Sequence, residues 1–273
     1  MIRRPPRSTQ GVSSAASDVY KRQPHLGAST QEAQREVAIE AAEQVLAVLS
    51  GQPARNTVNA PFLPPEVHEV VAPFIQVGTV LGKLLTFMAD GHPVGLTIKH
   101  EGEIAQHETP ILKTAVLAGL LAPASSEHVN LINAPLIAQQ RGLNVTEQRN
   151  EVALEYASIL SATLETTGGS ITLAGTSMRD EPHIVKVNDY WLDITPSTPY
   201  MLFVDNQDQP GSIGAVGTIA GKYNINISFM EVGRLDMRGR AMMILGLDDP
   251  VPPSVLEEII ALPHIHTARM VTL

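Results

Sequence analysis

The chain has 273 residues, of which 44% are hydrophobic and 4% aromatic, with a formal net charge of −9. That length allows one large domain or two small ones; the apolar content excludes global disorder, and a negative balance with few aromatics excludes a phosphate-backbone or base-stacking surface. The absence of cysteine removes disulfides, thiolate nucleophiles and cysteine metal sites, and fits a reducing compartment.

Residues 1–22 carry a local charge of +4, which leaves −13 on the rest. The segment is rich in Ser, Pro and Arg and has no hydrophobic period. A transit peptide is one reading, but "IRRPPRSTQGVSSAASDVYKRQ" looks like translated sequencing read-through. Residues 1–23 are therefore set aside as an artefact and predicted disordered, with the true sequence continuing upstream of Pro24.

"PHLGASTQEAQ" (Pro24–Gln34) leads into a helix that Ser29 or Thr30 can cap, with Glu32 near the positive end of its dipole. Ala38, Ala41, Ala42, Val45, Leu46 and Leu49 keep a 3.6 period, and Gly51 and Pro53 stop it. This narrow face calls for a partner that nothing nearby supplies. Three prolines make Arg55–Pro65 an extended linker. A second helix runs from Val67 to Met88, and Glu69, Gln76 and Lys83 interrupt it, so no membrane span is predicted.

Alternation over Pro93–Ala105 predicts a strand, and Thr109–Pro123 a helix. His128–Leu143 reads as a strand or turn and then a short helix ending at Gly142. From Glu155 the period becomes two. Tyr156–Leu164 and Ser170–Ser177 flank "ETTGG", and His183–Val187 and Tyr190–Ile194 flank Asn188–Asp189, so two hairpins are expected. "TPSTP" (Thr195–Pro199) is a second linker. The remaining order is strand (Tyr200–Val204), turn (Asp205–Gly211), helix (Ser212–Tyr223), strands (Ile225–Gly233 and Arg240–Leu247), helix (Pro253–Leu262) and strand (Ile265–Val271). This is the βαββαβ, ferredoxin-like arrangement.

The motifs divide into weak and stronger ones. "GSIGAVG" (Gly211, Gly214, Gly217) opens a helix after a strand, with Glu231 about twenty residues on. It mimics a dinucleotide loop, but its spacing is G-x-x-G-x-x-G, so close packing and a tight turn explain it better. His264 with His266 lacks a third ligand, and His100 with His107 is no better, so no metal is expected. No G-x-S-x-G supports a serine nucleophile, and no basic stripe supports nucleic-acid binding. His25 could act as a general acid or base, but no orienting carboxylate is identifiable beside it. Asn206 and Asp208 precede Pro210–Gly211 at a strand-to-helix turn, and Asn226 opens the next strand. Such groups can hold the ammonium and hydroxyl of a small amino acid while helix N-terminal amides take its carboxylate. They are also ordinary turn residues.

Taken together, Pro24–Leu273 resembles the D-3-phosphoglycerate dehydrogenase family of the long bacterial type. "PHLGASTQEAQ" is similar to the family's catalytic-histidine segment, "VNLINAPLIAQQRGL" to its intervening domain, and "VDNQDQPGSIGAVGTIAGKYNINIS" to its ACT domain. The resemblance implies an α/β and α+β chain. Residues 24–54 would end a Rossmann-type nucleotide-binding domain and 55–198 would form an intervening α/β domain of the allosteric substrate-binding type. Residues 199–273 would form a ferredoxin-like ACT domain. It implies NAD as cofactor of the intact enzyme, oxidation of 3-phosphoglycerate at the first step of L-serine synthesis, and a cytoplasmic homo-oligomer without nucleic-acid or membrane partners. His25 matches the catalytic histidine, and Gly27 belongs to the same cofactor-facing segment. Asn206, Asp208 and Asn226 match the L-serine contacts, around the turn at Pro210 and Gly211.

The family's partner glutamate, substrate arginine and Gly-rich cofactor loop lie before this segment, so the chain alone is expected to be inactive. Sheets joining edge to edge across a two-fold axis would pair the ACT domains, with Arg55–Pro65 and Thr195–Pro199 as hinges. The alternative is a non-catalytic amino-acid sensor or oligomerisation module. An iron–sulfur serine dehydratase would need cysteines that this chain lacks.

Overall fold

A computed structural model describes residues 30–49, 63, 65–107 and 110–273. His25, Gly27 and most of Arg55–Pro65 lie outside these residues. The chain divides into two compact units, Met1–Val58 and Asn59–Leu273.

In the first unit, helix α1 spans Gln31–Leu49. Thr30 caps it: its Oγ1 accepts a hydrogen bond from the Ala33 amide at 3.1 Å, satisfying one of the free first-turn donors. Val45, Leu46 and Leu49 on its apolar stripe are exposed.

The second unit begins with α2 (His68–Met88), entered through a 3-10 turn at Pro65–Val67. Then come β1 (Pro93–Gly102), α3 (Pro110–Leu121), α4 (Ala134–Gln140), β2 (Asn144–Asn150), β3 (Ser158–Thr166), β4 (Gly169–Met178), β5 (Glu181–Val187) and β6 (Tyr190–Ile194). The strands form one sheet in the order β2-β1-β3-β4-β5-β6. β2 runs parallel to β1, and the α3–α4 crossover makes that possible; the other neighbours are antiparallel. α2 and α3 pack together on one face, burying Leu81, Leu84 and Leu85 with Leu112 and Leu117 against Leu96, Ile98, Leu160 and Leu173.

Two glycines set the distance between these helices. A Cβ on Gly82 would stand 2.1 Å from the Val116 carbonyl oxygen, and one on Gly119 would stand 2.1 Å from that of Thr79. The backbones therefore meet almost directly, and Thr86 Oγ1 donates across the crossing to the Leu120 carbonyl at 2.6 Å. α2 is long and apolar enough to cross a membrane, but its stripe from Val71 to Met88 is buried in this core.

Three expectations change. Strand β1 stops at Gly102 rather than continuing to Ala105: the backbone turns there to φ +76, where a Cβ would lie 2.0 Å from the Ala157 oxygen, and Glu103–Gln106 become a 3-10 turn. β2 was not foreseen, because "NVTEQRN" is a polar, largely exposed edge strand. The β4–β5 connection, also not foreseen, is a tight turn with Arg179 and Asp180 both at positive φ, the geometry that suits the twist of a hairpin.

The C-terminal part is β7 (Tyr200–Gln207), α5 (Ser212–Lys222), β8 (Ile227–Arg234), β9 (Arg240–Leu247), α6 (Pro253–Ile260) and β10 (Ile265–Thr272), the expected βαββαβ order. Its antiparallel sheet has the order β10-β7-β9-β8. One face, with Leu202, Val204, Met243 and Leu245, packs on α5 and α6 through Val216, Ile219, Val255 and Ile259. The opposite face, with Met201, Phe203, Met242 and Ile244, belongs to the same core as Val187, Tyr190, Leu192 and Ile194 of the first sheet. Thr195–Pro199, read as a hinge, therefore joins two sheets with a common core. Thr198 is itself buried and donates to the Tyr200 carbonyl, and the Leu273 amide donates to Pro199.

Candidate functional site

The site is built where β7 ends and α5 begins. β7 continues three residues beyond the predicted Val204, so Asn206 lies in the strand rather than in a loop. It is 2% exposed. Its Nδ2 donates to the Gln207 carbonyl at 3.0 Å, while its Oδ1 accepts no hydrogen bond from any described residue. A buried polar atom without a partner costs about 1–3 kcal/mol, and such atoms are rare enough to need a reason.

Asp208 stands just beyond. Its amide donates to the Gly239 carbonyl at 2.8 Å. One carboxylate oxygen, Oδ2, accepts from Arg234 Nη1 at 3.2 Å and from the Arg238 amide at 3.3 Å. The Gln207 side chain donates to the Arg238 carbonyl. The β8–β9 hairpin thus clamps the turn from one side. Pro210 then leads to Gly211, which sits at φ +93 as the N-cap of α5. A side chain would be strained there, so the glycine is conformationally required. No side chain caps the helix; the Ser212 amide donates to the Gln209 carbonyl at 3.2 Å, and the next amides, those of Ile213 and Gly214, remain a site for a carboxylate.

Asn226 is elsewhere. The register places Arg234, Ala241 and Asn206 in one row across β8, β9 and β7, and Ile227, Leu247 and Tyr200 in another. Six residues separate the rows, about 20 Å at strand rise. Asn226 precedes Ile227 at the far end, where its Nδ2 donates to Asp248 Oδ2 at 2.6 Å. One chain therefore brings Asn206, Asp208, Pro210 and Gly211 together and leaves Asn226 out.

The sequence reading missed Arg234, whose guanidinium reaches Asp208 only because of the hairpin register. Its signal was the arginine-rich "GRLDMRGR" between two predicted strands.

The dinucleotide resemblance of "GSIGAVG" fails here. The segment opens α5 from an antiparallel sheet, without the parallel βαβ pair of a dinucleotide fold. The residues do not fit NAD, and no group of metal-ligating side chains is present among the described residues.

Residues 70–188 match the D-3-phosphoglycerate dehydrogenase intervening domain, and residues 200–264 match the ACT domain. The D-3-phosphoglycerate dehydrogenase of Synechocystis sp. is 39% identical over 252 residues, which is 92% of this chain and 45% of that protein. That of Methanocaldococcus jannaschii is 34% identical over 250 residues, 92% of this chain and 47% of its own. That of Bacillus subtilis is 32% identical over 254 residues, 92% and 48%. The chain spans about half the length of the curated relatives it matches. Over the part it spans, the chain is similar to these D-3-phosphoglycerate dehydrogenases, with a D-3-phosphoglycerate dehydrogenase intervening domain followed by an ACT domain.

Proposed function

We propose that this chain is the regulatory part of an NAD-dependent D-3-phosphoglycerate dehydrogenase and that its ACT domain binds L-serine, the end product of the pathway this cytoplasmic enzyme opens. The observation that carries the reading is the buried, unpartnered Asn206 Oδ1 beside the Asp208 carboxylate and the uncapped start of α5. Serine supplies what these groups lack. Its ammonium and hydroxyl donate to Asn206 and Asp208, and its carboxylate accepts from the helix amides.

Asn226 enters from a second copy. β8 is an edge strand of the sheet, and an edge strand presents free backbone groups to another strand. If two β8 strands pair antiparallel about a two-fold axis, the Asn226 end of one lies beside the Arg234 end of the other, where Asp208 is. The helices leave room for such an approach: a Cβ on Gly214, Gly217 or Gly221 of α5 would meet nothing within 4 Å. The effector site is then shared by two copies, and binding favours the paired state.

NAD and 3-phosphoglycerate belong to the intact enzyme, in which His25 takes the hydroxyl proton and Gly27 faces the cofactor. The 273-residue chain alone turns over no 3-phosphoglycerate. Calorimetric titration with L-serine tests the reading: saturable heat in the parent that Asn226→Ala abolishes supports it, and no heat from a folded parent contradicts it.

A further inference from the structure

The turn that holds Asp208 is wired to the intervening sheet through the end of β8. Asp208 is bonded to Arg234, the last residue of β8. The preceding residue, Gly233, is buried, and a Cβ there would stand 3.2 Å from the Trp191 carbonyl oxygen and 3.2 Å from Tyr190 Cβ. β8 therefore rests its backbone directly on β6 of the other sheet. A second connection runs beside the first. Asp205, next to Asn206 on β7, takes a two-pronged bond from Arg240 at 3.1 and 2.9 Å. Tyr190, nearly buried, has its phenol pushed up by burial and by the Asp205 charge. A cavity of about 450 Å³ opens between these strands, with Lys186, Tyr190, Asp205, Leu235 and Arg240 in its wall.

Resting on the effector reading above, we infer that ligand binding at the Asn206–Asp208 turn is passed to the intervening domain through Arg234 and Gly233 onto Trp191. An ammonium bound at the open Oδ1 of Asp208 draws on the same carboxylate charge that holds the Arg234 guanidinium at Oδ2 and loosens that bond. Releasing Arg234 frees the end of β8, whose next residue has no side chain to cushion it against β6. Because both sheets bury side chains in one core, a shift at this seam moves packed neighbours rather than a loose tether. Arg234 and Gly233 are positioning residues: neither is needed for the ligand contacts themselves.

Trp191 is the only tryptophan in the chain. Its ring is about half exposed, and the Lys186 ammonium lies 5.2 Å from the ring centroid. Its backbone lies at the seam while its ring lines another face of the sheet with Lys99 and Lys186, so its emission reports displacement of β6 without a label. The 273-residue chain is titrated with L-serine, following heat and tryptophan emission in parallel. The inference predicts a saturable emission change with the same midpoint as the heat. In Arg234→Ala, an exposed position, the heat persists within a few-fold in midpoint and the emission change is lost. Gly233→Ala is expected to shift the starting emission and to blunt the response in the same way. Heat without any emission change in the parent, or an unchanged emission response in Arg234→Ala, overturns the coupling while leaving serine binding intact. Absence of both heat and emission change removes the effector reading and the coupling together.

Discussion

The intervening sheet and the ACT sheet solve opposite problems with similar parts. In the first, glycines bring helices into backbone contact and the core is almost wholly aliphatic. In the second, the glycines of α5 face open space, and Asn206 is buried with an unmet acceptor. The first region is closed within one chain except at buried His100, whose ring faces the Glu147 carboxylate at 3.6 Å. The second is finished only by something added, and this difference locates the function. Unmet polarity and unfilled space are what a fold retains where a ligand or a second copy completes it.

The comparison breaks most visibly at the glycines. Gly82→Ala places a methyl group 2.1 Å from a carbonyl oxygen, which overwhelms the roughly 1 kcal/mol gain in helix propensity. Urea denaturation is expected to show a loss of about 3 kcal/mol or more. Gly217→Ala, in open space, is expected to stabilise the single chain by up to about 1 kcal/mol. Equal losses at both positions would erase the contrast.

Charge gives the next effect. On the inner side of the first sheet, His100 Nε2 lies 3.6 Å from Glu147 Oε2, an ion-pair separation rather than a hydrogen bond, and the Lys113 ammonium bonds the other oxygen at 2.5 Å. His100 and Lys113 hold the Glu147 carboxyl down to about 2, against a smaller opposing pull from burial. Because this carboxyl titrates lower in the folded chain, its stabilisation is complete above about pH 4.5 and is lost as the pH falls toward 2. Glu147→Gln is expected to cost on the order of 2 kcal/mol at neutral pH. Denaturation of parent and variant should converge as the pH falls through that window; a gap that persists at pH 2 would assign the loss to packing instead.

Asn206→Ala separates stability from binding. Removing an unpartnered acceptor offsets the small cavity it leaves, so folding stability should change by less than about 1 kcal/mol, while L-serine affinity falls at least tenfold. A large loss of stability would make Asn206 a structural residue. Smallest of all, Arg269→Ala removes the ion pair with Asp90 that ties β10 to the connection between α2 and β1. Both groups reach solvent, so a thermal scan should register no more than about 0.5 kcal/mol.

The sequence made period-two hairpins legible through Asn188–Asp189 and "ETTGG", and the βαββαβ order followed from the turns between them. β2 was hidden because an edge strand has no need of an apolar face, and only Val145 hints at one. Gly82 and Gly119 read as weak points in helices, since spacing alone does not say that another backbone passes there. The common core across Thr195–Pro199 left a signal that alternation-based reading passes over. "MLFV" in β7 and "AMMIL" in β9 are continuous apolar runs, which mark strands covered on both faces. At the site, the turn residues were readable in place, but the separation of Asn226 by about 20 Å depends on strand register, which composition does not specify.

The most direct test of the shared effector site mixes two defective chains. Asp208→Ala spoils the turn and Asn226→Ala spoils the contribution to the neighbouring copy, so each variant alone should bind no L-serine. After mixing in equal amounts and exchange of subunits, half of the pairs combine an intact turn with an intact Asn226. Calorimetry should then recover saturable heat at about one quarter of the parent's site number. Serine binding by Asn226→Ala alone at parental affinity, or no recovery in a mixture whose exchange is verified, would contradict a site completed by a second copy.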